Sequence, residues 1–156
     1  MVPSSPRESV LKCFEEKYGN APEYLVRAPG RVNLIGEHTD YNDGYVMPLA
    51  IDYAIWIALS RISEPEVRIH SIDFDQSVVI PINQALTKGE GWSEYLKGLI
   101  NILKHYKFEI FGWKGVMAGN VPIGAGLSSS AALSLAITRA FGTCLLYTSP
   151  SPRDRG

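Results

Sequence analysis

The chain has 156 residues, 46% of them hydrophobic and 20% charged, which is typical of one globular domain with a real core. Its formal net charge of −1 argues against the basic face of a nucleic-acid-binding protein. The sequence holds no apolar run of transmembrane length, no secretion signal, and two cysteines, which make neither a disulfide framework nor a zinc site. We therefore expect a cytoplasmic protein with no membrane and no nucleic-acid partner.

The first predicted element is a helix close to the N-terminus. Ser5 can cap it, Pro6 suits the first helical position, and Glu8 can complete a capping box. Gly19 then ends the run of apolar residues at helical spacing. These signals predict a helix from about residue 6 to residue 18.

The later elements alternate in unequal groups. Residues 24–28 and 31–35 are predicted to be extended, on either side of a turn at Pro29 and Gly30. The other predicted elements are strands at 54–62, 67–72, 78–82 and 112–118, and helices at 93–106 and 128–141. Such grouping favours an α+β fold over a regular βαβ alternation.

The stretch from Arg27 to Pro48 contains many polar and charged side chains, interrupted by glycines. Arg31, Glu37, His38 and Asp40 lie within it on what we predict to be a glycine-bent loop. Carboxylates make short, directional hydrogen bonds to hydroxyl groups, so the set suits vicinal sugar hydroxyls. A metal site, an acid–base pair and a solvated polar turn are the alternative interpretations of these residues alone.

A second motif, from Gly119 to Leu133, is of a kind that holds phosphate. A predicted strand leads into Gly124 and Gly126, and Ser128 to Ser130 open a helix. Free N–H groups at a helix N-terminus favour an anion, and a serine hydroxyl can ligate Mg²⁺. The motif lacks the lysine of a P-loop. An ordinary glycine-rich turn with a serine cap is the alternative.

The two motifs in this order resemble those of the GHMP kinase superfamily. Gly30 to Tyr41 is similar to the galactokinase signature throughout, and Val121 to Leu133 to the ATP-phosphate motif of the superfamily. The resemblance covers roughly residues 8 to 143. It implies an α+β fold, the N-terminal domain of the GHMP kinase fold with its ribosomal-protein-like β-α-β sandwich. It also implies that ATP, with Mg²⁺, phosphorylates galactose at the anomeric hydroxyl.

The resemblance also implies a role for individual residues. Arg31 corresponds to an arginine beside the reacting hydroxyl and the transferred phosphate, where a fixed positive charge stabilises the transition state. Glu37, His38 and Asp40 correspond to sugar-binding positions. The positions corresponding to nucleotide binding are Trp92 and Tyr95 for adenine, Gly124, Gly126, Ser128, Ser129 and Ser130 for the triphosphate, and Ser130 again for Mg²⁺. Trp92 and Tyr95 suit plain core packing equally well.

Two departures from the family pattern limit what we expect of this chain. Ser134 stands where the family often has a glutamate, and no residue here corresponds to the family's catalytic aspartate, which follows the second motif. Residues 144–156 look like the translation of a sequencing-library adapter, so the domain would end at Thr143. We therefore expect a partial N-terminal domain that is inactive alone and marginally stable. A kinase of N-acetylgalactosamine or an arabinose-type sugar, and a non-catalytic sugar and ATP sensor, are the alternative functions.

Overall fold

The computed structural model describes residues 4–36 and 38–145, with the side chain of Asp40 excepted. It contains a five-stranded sheet and three α-helices, so the predicted α+β fold is confirmed. In chain order the elements are α1 (Pro6–Tyr18), β1 (Tyr24–Ile35), a 3-10 helix (Asp40–Asn42), β2 (Met47–Arg61), β3 (Glu66–Ser71), β4 (Gln76–Pro81), α2 (Ser93–His105), β5 (Trp113–Gly119) and α3 (Ser129–Leu145). Of the predicted tail at 144–156, Cys144 and Leu145 belong to α3, and residues 146–156 lie outside the described residues.

The strand order across the sheet is β1-β2-β5-β3-β4. Neighbouring strands run antiparallel except β3 and β5, which pair in parallel. This order places β5 at the centre of the sheet. The predicted phosphate motif begins at Gly119, the last residue of this central strand. The edge strand β1 carries the first half of the polar motif.

Side chains of the sheet alternate between two hydrophobic cores, as the two-residue period of a strand requires. Ile57 and Leu59 face the larger core, which is closed by α2 and α3, whereas Ala58 faces the smaller core under α1. Trp113 and Phe141 are fully buried in the larger core with their rings edge to face, 5.5 Å between centroids. The molecule therefore has three layers, and the candidate site lies at the end of the larger core.

The predicted start and stop signals of α1 are both present. The Ser5 side chain accepts a hydrogen bond from the backbone N–H of Glu8, and the Glu8 side chain accepts one from Ser5. Gly19 ends the helix in the left-handed conformation, with φ of 75°. Because all of these contacts are local, the sequence alone was enough to predict them.

The predicted turn at Pro29 and Gly30 is wrong, because β1 runs through both residues. Pro29 pairs with β2, and the register shifts between Pro29 and Arg31, which identifies a bulge rather than a turn. Proline is tolerated here because β1 is an edge strand. The polar motif from Arg27 to Pro48 is therefore not one bent loop: most of it belongs to β1 and β2, and residues 36–46 connect them.

Two further elements extend well beyond their predicted bounds. β2 begins at Met47 rather than at Ala54, because its first part pairs with the end of β1. α3 begins at Ser129 and continues to Leu145, beyond the predicted end at Phe141. Its last turn stays helical because Cys144 is buried in the larger core.

Candidate active site

The phosphate loop, residues 120–128 with a predicted phosphate-binding role, connects the central strand β5 to the N-terminus of α3. Gly124, Gly126 and Ser128 have positive φ, at 75°, 71° and 58°. The first helical hydrogen bond runs from the N–H of Ala132 to the carbonyl of Ser128 at 2.9 Å. The N–H groups of the first turn have no helical acceptor, and the helix dipole places partial positive charge there. This is the geometry that favours a bound anion.

A cavity of about 470 Å³ opens beside this helix N-terminus. The residues that line it include Phe74, Trp92, Tyr95, Ser129 and Ser130. Both aromatic residues and two of the serines with predicted binding roles therefore line one cavity, although the aromatic residues lie at the start of α2 and the serines at the start of α3. Gly124 and Gly126 lie outside the lining, on the exposed part of the loop.

Trp92 belongs to both the core and the cavity. Its side chain is 7% exposed and packs in the larger core, while its Nε1–H donates to Oε1 of Gln76 at 2.9 Å. That hydrogen bond fixes the plane of the indole ring at the cavity wall. Tyr95 is 41% exposed and one helical turn further on, so its ring is available at the mouth of the cavity.

Asp73 and Phe74 are cavity residues that the sequence analysis did not single out as functional. They lie in the turn between β3 and β4, which connects two strands predicted from the sequence. The Oδ2 atom of Asp73 accepts a hydrogen bond from the backbone N–H of Gly119 at 2.8 Å. Burial raises the pKa of the Asp73 carboxyl above its ordinary value, and the hydrogen bond from Gly119 opposes that rise. The sequence signal, an aspartate and an aromatic residue in a turn, is too common to have found them.

The backbone of Arg31 contacts the phosphate loop directly. Its N–H donates to the carbonyl oxygen of Leu127 at 3.0 Å. Its side chain is exposed rather than packed in either core. The backbone of Arg31, the residue with a predicted catalytic role, is therefore hydrogen-bonded to the loop that is predicted to bind phosphate.

Local hydrogen bonds hold the connection between β1 and β2. The Thr39 hydroxyl lies 3.1 Å from the carbonyl oxygen of Gly36 and 2.9 Å from that of Tyr45. Nδ1 of His38 lies 2.9 Å from the Tyr41 hydroxyl. Gly36 has φ of 98°, and an added Cβ would collide with the Tyr45 carbonyl, so no larger residue fits there.

The remaining predicted sugar-binding and metal-binding roles stay predictions. Glu37 and the side chain of Asp40 lie outside the described residues, and the His38 side chain is exposed. Within residues 4–36 and 38–145, no group of three or more His, Cys, Asp or Glu side chains is arranged to hold a metal ion. Ser130, which lines the cavity, remains the predicted Mg²⁺ contact.

Comparison with known proteins assigns both motifs to family models. Residues 12–61 match the galactokinase galactose-binding signature, and residues 94–152 match the N-terminal domain of GHMP kinases. The galactokinase of Roseiflexus sp. (strain RS-1) is 43% identical over 128 residues, which are 82% of this chain and 33% of that protein. This chain belongs to the galactokinase family of GHMP kinases.

Solved structures agree with this family. The galactokinase of Lactococcus lactis, crystallised with galactose, is 32% identical with a TM-score of 0.77, covering 94% of this chain and 38% of that one. The mevalonate kinase of Methanococcus jannaschii, 24% identical, shares the fold with a TM-score of 0.68 over 84% of this chain and 42% of its own. This chain therefore spans between a third and two fifths of the galactokinases it matches.

None of the helices in residues 4–36 and 38–145 is both long and apolar enough to cross a bilayer.

Proposed function

We propose that this chain carries the sugar-binding signature and the phosphate loop of a galactokinase, which transfers the γ-phosphoryl group of ATP to the anomeric hydroxyl of D-galactose. The observation that carries the proposal is the hydrogen bond from the N–H of Arg31 to the carbonyl of Leu127, which joins the two motifs. Phosphoryl transfer requires the acceptor and the phosphate to be adjacent, and this contact supports such an arrangement. We place the protein in the cytoplasm as part of the same proposal.

The cavity beside α3 suits the nucleotide. Its volume of about 470 Å³ lies within the range of pockets for small ligands. In the proposal the adenine stacks against Trp92 and Tyr95, while the phosphates bind the N–H groups at the start of α3. Mg²⁺, which usually binds few protein groups and several phosphate oxygens, would take the Ser130 hydroxyl as a ligand and neutralise phosphate charge.

The signature side suits the sugar. Glu37, His38 and Asp40 would orient the hydroxyls of galactose, and the hydrogen bond between His38 and Tyr41 supports a fixed orientation of the imidazole. The Arg31 guanidinium would stabilise the negative charge that develops on the transferred phosphoryl group. In the family the reaction is completed by an aspartate beyond the second motif, so we propose that this chain binds both substrates but does not turn them over.

Binding measured by calorimetry tests the sugar half of the proposal. We expect D-galactose to bind more tightly than its C4 epimer D-glucose, and His38→Ala to weaken the binding about three- to tenfold, the effect of one hydrogen bond. Tighter binding of N-acetylgalactosamine or arabinose would assign a different sugar kinase. Galactose-dependent release of ADP by the purified chain would contradict the proposed lack of turnover.

The nucleotide half needs a separate measurement. We expect Mg²⁺ to strengthen ATP binding to the wild-type chain, and Ser130→Ala to reduce that gain. Ser134→Ala is the matched control, since the Ser134 hydroxyl donates to the carbonyl of Ser130 and lies outside the cavity lining. An equal loss in the two variants would contradict the role of Ser130. Sugar and nucleotide binding by a longer version that contains the family's aspartate, without turnover, would favour a sensor.

A further inference from the structure

Gly30 lies in β1 opposite a bulge in β2, where the signature strand meets the phosphate loop. The register between β1 and β2 shifts from Pro29 to Arg31, so that residues 51–53 of β2 lie opposite Gly30 alone. A bulge interrupts the ladder of hydrogen bonds between two strands. Because β1 is also an edge strand, backbone groups on its outer side can form hydrogen bonds with a segment outside the sheet.

The phosphate loop makes that contact. The N–H of Arg31 donates to the carbonyl of Leu127 at 3.0 Å, within the ordinary range for a backbone hydrogen bond. The Arg31 residue as a whole is exposed, but its hydrogen bond lies beside the buried Gly30 and ends at the half-buried Leu127, so competing water is partly excluded. Loss of this hydrogen bond would deprive the Arg31 N–H and the Leu127 carbonyl of a partner.

The close approach depends on the absence of a side chain at Gly30. A Cβ added there would lie 2.8 Å from the Leu127 carbonyl oxygen, 3.1 Å from Cδ1 of Ile51 and 3.2 Å from Cγ1 of Val121. Gly30 is not among the glycines with positive φ. The requirement at this position is therefore space for the loop and not an unusual backbone conformation, so alanine tests the contact itself.

The segment that Leu127 belongs to has little other support. The preceding residues, Pro122 to Gly126, are exposed, and Ile123 is 79% exposed. The residues on either side of Leu127, Gly126 and Ser128, both have positive φ, at 71° and 58°. A loop with this conformation and exposure depends on a few anchors for its position, and the Leu127 carbonyl is one of them.

We propose that Gly30 and Leu127 are positioning residues that couple the two binding regions: the contact fixes the phosphate loop relative to Arg31, so that nucleotide bound to the loop stabilises the signature strand. This inference rests on the proposed function, since it requires nucleotide at the phosphate loop. Arg31 is the residue proposed to act on the transferred phosphate, so the same contact sets the spacing between that residue and the loop.

Amide hydrogen exchange measured by NMR on this chain tests the coupling without any need for turnover. The probe is Mg²⁺ with adenylyl imidodiphosphate, a non-hydrolysable ATP analogue. We expect the probe to slow exchange of the Arg31 N–H about fivefold or more, the lower end of typical coupling between sites. In Gly30→Ala we expect this response to disappear and the affinity for the probe to fall.

Gly142→Ala is the matched control, because a Cβ at this helical glycine meets nothing within 4 Å. It should keep the wild-type response. Slower exchange at Trp92 and Tyr95 without a change at Arg31 would overturn the coupling and leave the proposed nucleotide site intact. No change anywhere in the wild type would overturn both. A wild-type response in Gly30→Ala would also overturn the coupling, and if that variant does not fold, the wild-type measurement decides alone.

Discussion

The signature ribbon, residues 31–50, is exposed along most of its described length, whereas the cavity proposed to bind nucleotide is walled partly by the larger hydrophobic core. Many apolar residues follow the same division, although Phe74 and Ile123 at the cavity are exposed as well, at 53% and 79%. Those of the ribbon include Ile35, Tyr45 and Met47, which are 70%, 99% and 57% exposed. At the cavity, Trp92 and Met117 are 7% and 3% exposed.

This difference shows that the two halves of the candidate site are stabilised by different forces. Burial of apolar surface holds the cavity, so changes behind it should alter stability first and binding second. Hydrogen bonds within the connection at residues 36–46 hold the ribbon, so changes there should alter binding with little effect on stability. Exposed apolar surface promotes aggregation, so the ribbon is where we expect any aggregation of this chain to begin.

The largest expected effect comes from removing volume from the larger core. Phe141 is 1% exposed and packs edge to face against Trp113. Because Phe141→Ala leaves a cavity in a close-packed core, it should lower the free energy of unfolding by about 3–5 kcal/mol. Urea unfolding followed by circular dichroism measures this loss.

Leu135→Ala on the same helix is the control for that measurement. Leu135 is 59% exposed, so we expect a change within about 0.5 kcal/mol. Similar unfolding midpoints for the two variants would mean that burial in the larger core does not stabilise the fold, and the proposed contrast with the ribbon would be wrong.

A smaller effect, on binding alone, is expected in the ribbon. Tyr41→Phe removes the hydroxyl that lies 2.9 Å from Nδ1 of His38. Because that hydroxyl orients an imidazole proposed to bind the sugar, its loss should weaken galactose binding up to about tenfold, the value of one hydrogen bond. Tyr41 is 74% exposed, so the unfolding midpoint should not change. Calorimetry and urea unfolding on the same sample separate the two effects.

Tyr45→Phe provides a close control within the same connection. Its side chain is 99% exposed, so removal of its hydroxyl should change neither galactose binding nor stability. If Tyr41→Phe behaves like Tyr45→Phe, the hydrogen bond to His38 does not position the imidazole. If Tyr41→Phe instead lowers the unfolding midpoint, the ribbon contributes to stability in the same way as the core.

The sequence was sufficient where the deciding contacts are local. The capping box at Ser5 and Glu8 and the stop at Gly19 depend on residues within a few positions of each other, and all were predicted. The strand through Pro29 and Gly30 was not predicted. Whether these residues form a turn or a bulged strand depends on pairing with β2 and on the hydrogen bond to Leu127, and both partners are distant in sequence.

The candidate site shows the same limit. Apolar spacing placed Tyr95 on a helix directly after Trp92, and only the family resemblance gave the two residues a predicted nucleotide-binding role. That they share a cavity with Ser129 and Ser130 follows from the packing of α2 beside α3, which no local pattern specifies. The contact of Asp73 with Gly119 spans two elements and could not be predicted from the turn alone.

The smallest expected effect concerns the pH dependence of stability at Asp73. Burial raises the pKa of this carboxyl in the folded chain, and the Gly119 N–H only partly offsets that rise. A raised pKa means that the folded chain holds the proton more tightly than the unfolded chain. The carboxyl therefore favours folding below its ordinary pKa of 3.8, and this contribution is lost as the pH rises through the folded value.

Asp73→Asn removes that titration while its amide oxygen can still accept from Gly119. We therefore expect the stability of the variant, relative to the wild type, to rise as the pH increases from about 4 upward. The change should be small, because the side chain is partly exposed and water screens its charge. Urea unfolding across a pH series measures it, with Asp75→Asn in the same turn as the control. If the relative stability of Asp73→Asn instead falls over this range, the ionised carboxylate stabilises the fold. Asp73 would then act mainly as a structural acceptor for Gly119, and burial at the cavity would not disfavour its charged form.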